Sequence, residues 1–315
     1  MTAETLRTHV PPFDRDLWRG IWRIADPKIT LASVASMILG AALAGYDGAI
    51  SWGWLAITVL GIFCVEAAKN ASGEIVDWDS GTDQALRDDE RTPFSGGKRV
   101  LVDRLMSRGQ LAVVAGVFYV LATVAGLLIV GYREPLVFWL GVAGMALAFF
   151  YHAPPLKLSY RGLGEVAVGL AYGPIIAAGT YLVQRHTVSA DVLLASIPLG
   201  LAITAFLWIN ELPDARADAS AGKRTLVVVL GHARAAKAFA ALLAITWLGV
   251  VVLPFLGLPL GIWGALIGAP LALRAARRVL RFPDVAERLV PAQQATLLSF
   301  VLLAVGAALG VLLVG

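Results

Sequence analysis

The sequence predicts an all-α membrane protein, a bundle of nine transmembrane helices. Three observations carry this. The 315 residues are 58% hydrophobic and only 15% charged, with a mean hydropathy of +0.75. A soluble domain runs near ~45–50% apolar and ~25% charged, so a soluble globular enzyme is excluded, and disorder is excluded by the same apolar excess. Nine apolar stretches are marked, and 24 of the 26 Lys and Arg residues fall on one side of the membrane when those stretches are threaded through it.

The stretches run over 29–46, 51–68, 110–131, 135–150, 163–183, 192–209, 238–254, 258–273 and 293–314. Most approach the ~20 residues that cross a hydrocarbon core of ~30 Å; the eighth is short. Before them, 1–28 forms a cytoplasmic leader with Arg7, Arg15, Arg19, Arg23 and Lys28 and no signal-peptide pattern. Its segment Leu17–Arg23, with Trp18 and Trp22 among arginines, fits an amphipathic helix on the membrane surface, or alternatively an ordered polar leader. Residues 29–315 then form a single domain. Only Arg133 and Arg185 fall opposite the other cations. Excess Lys and Arg mark the cytoplasmic side, which puts the N-terminus inside and Gly315 outside. Glu66 and Glu165 are the only charges within the marked limits, both near cytoplasmic ends. That scarcity argues against an ion-coupled transporter and places any chemistry at the inner surface of an integral membrane protein. The single cysteine, Cys64, excludes an intrachain disulfide and a Cys-based metal cluster.

Two connections on that inner face are acidic. After the second stretch come Asn70, Glu74 and Asp77, spaced i, i+4, i+7 on one helical side. Ser80-Gly81 can break the helix and bring Asp83 back toward that side. After the sixth stretch come Asn210, Asp214 and Asp218, spaced i, i+4, i+8, with Pro213 loosening the alignment. Like charges at this spacing repel, so cations between them would explain the pattern. Carboxylate and amide oxygens suit Mg²⁺, which keeps several waters and accepts phosphate oxygens. The alternative is a pair of solvated acidic loops with helix-capping side chains.

Cations follow each cluster: Arg87, Arg91, Lys98 and Arg99 after the first, and Gly222-Lys223-Arg224-Thr225 after the second. Such groups beside glycines suit phosphate oxygens, though the P-loop spacing is missing. Taken singly, each also fits ordinary positive-inside charge or contact with anionic lipid. A third inner loop runs from Tyr151-His152-Ala153-Pro154-Pro155 through Lys157 and Tyr160 to Glu165. Lys157 can reach a diphosphate, and Tyr151 or Tyr160 can face a cation or an aromatic ring; headgroup anchoring is the alternative for each tyrosine.

These residues resemble the UbiA superfamily of intramembrane prenyltransferases, whose Asp-rich motifs follow the second and sixth helices. Asn210, Asp214, Asp218 and Gly222-Lys223-Arg224-Thr225 look like its second motif. Glu74, Asp77 and Gly81-Thr82-Asp83 resemble a variant of its first. Pro93-Phe94-Ser95-Gly96-Gly97 and the stretch from Pro154 to Glu165 are also similar, and the likeness spans roughly 26–232. There are two departures. Gly73 stands where the family's leading Asn is expected, with Asn70 one turn earlier as a substitute. Asp26-Pro27-Lys28 replaces an Arg-Pro found in many naphthoate-type relatives, with Lys28 able to supply the charge.

The resemblance implies a nine-helix fold and Mg²⁺-dependent transfer of an isoprenyl group from a diphosphate to a lipophilic, usually aromatic acceptor, with a lean toward 1,4-dihydroxy-2-naphthoate in quinone biosynthesis. It places Asp77, Asp83, Asp214 and Asp218 on the metal, with Glu74 as a weaker ligand. Asn70, Lys28, Arg91, Lys98, Arg99, Asn210 and Lys223 are expected around the diphosphate, and Lys157 and Tyr151 join the four aspartates in the catalytic set. Partners are then the isoprenyl diphosphate, the acceptor and membrane lipid, with no nucleic acid. A membrane terpene cyclase would share the diphosphate site, and an isoprenoid-phosphate transporter would share its inner-face anion site.

Overall fold

The computed structural model describes residues 15–314. The first half of the expected leader, 1–14 with Arg7, and Gly315 at the expected outer end lie outside the described residues. Within them every regular element is helical.

Helix α1 (Arg15–Ala25) is amphipathic. Ile24 is buried, and Leu17 and Ile21 pack against Ala67, Ala71, Val100 and Met106. Trp18 and Trp22 are 54% and 68% exposed, the placement of indoles that sit at headgroup level. Asp26 caps α2 (Pro27–Asp47) by accepting from the Lys28 N–H at 3.3 Å. Pro27 occupies the first helical turn, where its missing donor is harmless. Helix α3 (Trp52–Ser80) has 29 residues and so extends about 43 Å. It ends at Gly81, whose φ of 82° is left-handed and suits glycine, and the chain turns back into α4 (Thr82–Ala85). A capping box of Ser107 and Gln110 starts α5 (Arg108–Tyr132), and α6 (Val137–Phe150) follows.

Next come α7 (Gly164–Leu170), a π-helical turn over Ala171–Ile175 containing Pro174, and α8 (Ile176–Arg185). The remaining helices are α9 (Ala190–Ser220), α10 (Leu226–Leu230), α11 (His232–Val252), α12 (Ala269–Arg281) and α13 (Ala286–Val314), with a 3₁₀ run over Leu260–Gly268 before α12.

Each marked stretch falls on helix, but the spans are unequal. Among the described residues seven helices are long and apolar enough to cross a membrane. Helix α6 has 14 residues, about 21 Å, short of the ~30 Å core. The eighth stretch is divided between the 3₁₀ run and α12, which becomes basic through Arg274, Arg277, Arg278 and Arg281.

Helices α2, α8, α9, α11, α12 and α13 share one core. Where α13 meets the 3₁₀ run, Gly306 and Gly310 face Gly264 and Gly261, and a Cβ on any of them would overlap the opposing backbone. Small residues of this kind let membrane helices approach closely. Helices α1, α3 and α5 form a smaller cluster. A cavity of about 340 Å³ lies between α3, α5, α6 and the α7–α8 segment, within the ~300–1,000 Å³ range of small-molecule sites.

Candidate active site

The C-terminal ends of α3 and α9 meet at one end of the bundle, and one ammonium group joins them. Lys223 Nζ lies 2.8 Å from Asp77 Oδ1 and 3.3 Å from Asp218 Oδ1. The same Nζ sits 5.3 Å above the Tyr160 ring, and the Tyr160 hydroxyl donates to Ser80 Oγ at 3.0 Å and toward Asp77 Oδ1 at 3.4 Å. The connection after the first cluster closes over the second: the Gly96 N–H donates to Asp214 Oδ2 at 3.1 Å. Gly96 and Gly97 both have left-handed φ, and a side chain at 97 would run into the Asp83 carboxylate. Glycine there permits a close approach of backbone to carboxylate.

Burial opposes the charge on Lys223, but Asp77 and Asp218 outweigh it and hold its pKa well above the ordinary lysine range. Burial, then the charges of Asp77 and Glu74, push Asp83 up to about 8. Burial takes His152 down to about 4, so its imidazole is neutral at pH 7. Asp83 Oδ2, Asp214 Oδ1 and Asn210 Oδ1 are buried without hydrogen-bond partners. Buried acceptors of this kind are available to an ion, a water or a ligand donor. Oxygen-only donors fit Mg²⁺. Among the described residues no three carboxylate, His or Cys side chains converge as a preformed metal cage.

The structure thus gathers Asp77, Asp83, Asp214, Asp218 and Lys223, with Asn210 on the same end of α9. Lys223 faces carboxylates here, where the sequence placed it at the diphosphate. Other expected residues have different partners. Both oxygens of Glu74 accept backbone N–H groups, from Lys98 at 3.2 Å and Leu101 at 3.1 Å, so its carboxyl anchors the loop. Asn70 Nδ2 donates to the Ile24 carbonyl at 2.9 Å and ties α1 to α3. Lys98 pairs with Asp26, and Lys28 donates to the Pro93 carbonyl. Arg91 meets Asp88 at 2.5 Å and Arg99 meets Asp103 at 2.8 Å, each keeping one buried guanidinium nitrogen without a partner. Lys157 Nζ lies 5.3 Å from the Tyr160 ring centroid, and Tyr151 lines the cavity.

Several residues near the site were given no role by the sequence reading. His152 fills the space above Gly73, where a Cβ would come within 2.7 Å of Nε2. Glu165 and Glu211 are buried, each with one partnerless carboxyl oxygen. Glu66, Lys69 and Tyr172 line the cavity. For Glu66 and Glu165 the available signal was a charge inside an apolar stretch.

The bundle is apolar, gathers carboxylates and cations at one end, and encloses a mostly apolar cavity, the usual form of a small-molecule site. The chain belongs to the UbiA prenyltransferase family, whose model matches residues 33–288, and it is a prenyltransferase. It is 30% identical over 298 residues to the 1,4-dihydroxy-2-naphthoate octaprenyltransferase of Escherichia coli, covering 88% of this chain and 92% of that protein. It is 30% identical over 253 residues to the Mycobacterium tuberculosis protein of the same name, covering 80% and 83%. A UbiA homologue from Archaeoglobus fulgidus, solved bound to GPP and Mg²⁺, shares the fold with a TM-score of 0.62 at 15% identity, covering 92% of this chain and 99% of that one.

Proposed function

We propose that this protein transfers an isoprenyl group from an allylic diphosphate to a lipophilic aromatic acceptor of the dihydroxynaphthoate kind, in quinone biosynthesis, with Mg²⁺ at the two carboxylate clusters. The observation that carries this is the pair of contacts from Lys223 to Asp77 and Asp218, which bring two motifs distant in the chain to one point. The naphthoate octaprenyltransferase relatives support the acceptor class, and the homologue solved with GPP and Mg²⁺ supports the donor and metal.

Asp77, Asp83, Asp214 and Asp218 would hold Mg²⁺, which supplies charge neutralisation to the departing diphosphate. Lys223, held between Asp77 and Asp218, would add positive charge to the end of the site that takes the diphosphate. The Gly96-Gly97 turn lays its backbone against both clusters, the Gly96 N–H holding Asp214 and Gly97 packing on Asp83. The apolar cavity takes the isoprenyl chain and keeps water away from the allylic carbon while the acceptor ring carbon attacks. In this reading the bundle crosses the membrane nine times, with α6 and the 3₁₀–α12 segment as the short crossings. The N-terminus and active site face the cytoplasm, and 1–28 forms a leader on the same surface.

The test is product mass from purified protein given geranylgeranyl diphosphate, 1,4-dihydroxy-2-naphthoate and Mg²⁺. A prenylated naphthoate is expected. Asp77→Ala and Asp214→Ala should each lower diphosphate release at least ~100-fold, as removal of a charge-stabilising group commonly does. Full activity in either variant at limiting Mg²⁺ removes that residue from the metal site. A cyclic hydrocarbon formed without any acceptor would establish a terpene cyclase instead, and an intact diphosphate in every reaction would favour a transporter.

A further inference from the structure

The cavity between α3, α5, α6 and the α7–α8 segment is apolar over most of its wall, but Glu66, Lys69, Tyr151 and Tyr172 make one part of it polar. The Tyr172 hydroxyl donates to Glu66 Oε1 at 2.9 Å. Glu66 Oε2 is buried and has no hydrogen-bond partner. The hydroxyls of Thr30 and Ser33 lie close to this carboxyl, yet they donate to the carbonyls of Ala25 at 2.8 Å and Thr30 at 3.0 Å. The Lys69 ammonium, one turn along α3, supplies the nearest opposite charge to this carboxyl but makes no hydrogen bond to Oε2, and its Nζ is 5.6 Å from the Tyr151 ring centroid.

A buried carboxyl with one bare oxygen is costly in an apolar bundle. An isoprenoid chain has no donor to offer it, so the chain alone gives no reason for this group to line the cavity. A ligand hydroxyl does. The backbone supports the same conclusion. Tyr172 lies in the π turn over Ala171–Ile175, where the helix is locally widened, and Ser36 Oγ donates to its carbonyl. Pro174 breaks the regular hydrogen bonding here, and π turns of this type are rare and recur at functional sites.

We propose that Glu66, oriented by Tyr172, is the acceptor-recognition residue: its free oxygen takes the hydrogen bond of a ring hydroxyl, and a flat aromatic diol lies in the polar part of this cavity. The inference rests on the transferase reading and names the part of the acceptor that is recognised. Glu66 is a binding and positioning group, distinct from the carboxylates around Lys223.

The experiment uses the full-length protein in detergent under reducing conditions. Equilibrium dialysis measures binding of 1,4-dihydroxy-2-naphthoate and of its 1,4-dimethyl ether, which lacks the hydroxyl donors. The wild type should prefer the diol by about tenfold or more, and Glu66→Met should bind both alike. No preference in the wild type, or a full preference kept by Glu66→Met, overturns the proposal. If Glu66→Met does not fold, Tyr172→Phe is read instead. At least a roughly threefold loss of preference is expected there, and an undiminished preference overturns the proposal. Product mass with geranylgeranyl diphosphate is measured on the same preparations. A hydroxyl preference without product would sink the transferase reading and leave this site standing; product without the preference would do the reverse.

Discussion

Gly73 and His152 show how one residue choice depends on another far away in sequence. A Cβ at 73 would meet His152 Nε2 at 2.7 Å and Cδ2 at 2.8 Å. The resemblance puts an Asn at 73, and Asn70 looked like a substitute one turn away. In the folded chain Asn70 is turned to the Ile24 carbonyl, and the space at 73 belongs to the imidazole. Gly73→Asn is therefore expected to overpack the site and lower stability by about 1–3 kcal/mol. His152→Ala should remove most of that penalty in the double variant, a coupling of the kind found between touching residues. Melting temperatures of the four proteins of the cycle check it, and additive losses would refute it. The carboxylates themselves were legible, since i, i+4 spacing states which side chains share a helical side. Lys223 was legible as a cation but not as the group between Asp77 and Asp218, because that depends on how α3 and α9 meet.

Among elements, the contact of α13 with the 3₁₀ run has the least room. Gly310→Val should destabilise the protein by more than ~3 kcal/mol, because the clash is with the Gly261 backbone and no rotamer relieves it. Gly116→Val on α5, where a Cβ meets nothing within 4 Å, serves as control and should change little. Thermal unfolding in detergent compares them. A second joint lies between α1 and α2, where Asp26 pairs with Lys98 of the glycine-turn loop. Burial alone would raise the Asp26 pKa, but Lys98 and then Lys28 outweigh it and hold it below the usual carboxylate range. A carboxylate depressed by folding stabilises fully above its unfolded value, near ~3.9, and loses that contribution as pH falls through its lower folded value. Lys98→Met leaves the buried carboxylate with only the Lys28 charge and backbone donors, which costs up to about 3 kcal/mol at neutral pH. Acid unfolding of this variant should begin at higher pH than in the wild type, and an unchanged acid transition would show that the pair does not hold this joint. Helix positions were legible because apolar windows were. The division of the eighth stretch was not, since its apolar half and the basic half of α12 together average to an ordinary span. Nor was the role of the loop from Arg91 to Arg108, whose fold depends on Glu74 and Asp26 rather than on local sequence.

At the scale of the molecule, the two ends of the bundle differ in chemistry. Ser51, just before α3, donates its N–H to Gln184 Oε1 at 2.8 Å, and Arg133 donates to the carbonyls of Val183 and Gln184 at 2.8 and 3.0 Å. The beginning of α3, the end of α5 and the end of α8 therefore share one end, which holds Arg133 and Arg185. The other end of α3, about 43 Å away along its axis, carries Asp77 and the Lys223 contacts. There the loop after α4 meets α9, through Arg216 and Glu90. The 24-to-2 division of cations expected from nine spans would make the carboxylate end the cationic one, and the positive-inside rule would then give a direction. Cys64 is the only native cysteine, so a Cys64→Ala background allows single reporters. Asp89→Cys and Ser220→Cys sit at exposed positions on the carboxylate end, and Thr187→Cys at an exposed position on the opposite end. In sealed right-side-out vesicles a membrane-impermeant maleimide should label Thr187→Cys and leave the other two unlabelled, and inverted vesicles should reverse the pattern. Labelling of Asp89→Cys and Thr187→Cys from the same side would contradict a membrane-crossing α3. The expected pattern reversed in both preparations would keep the bundle but turn it over, placing diphosphate chemistry on the outer surface.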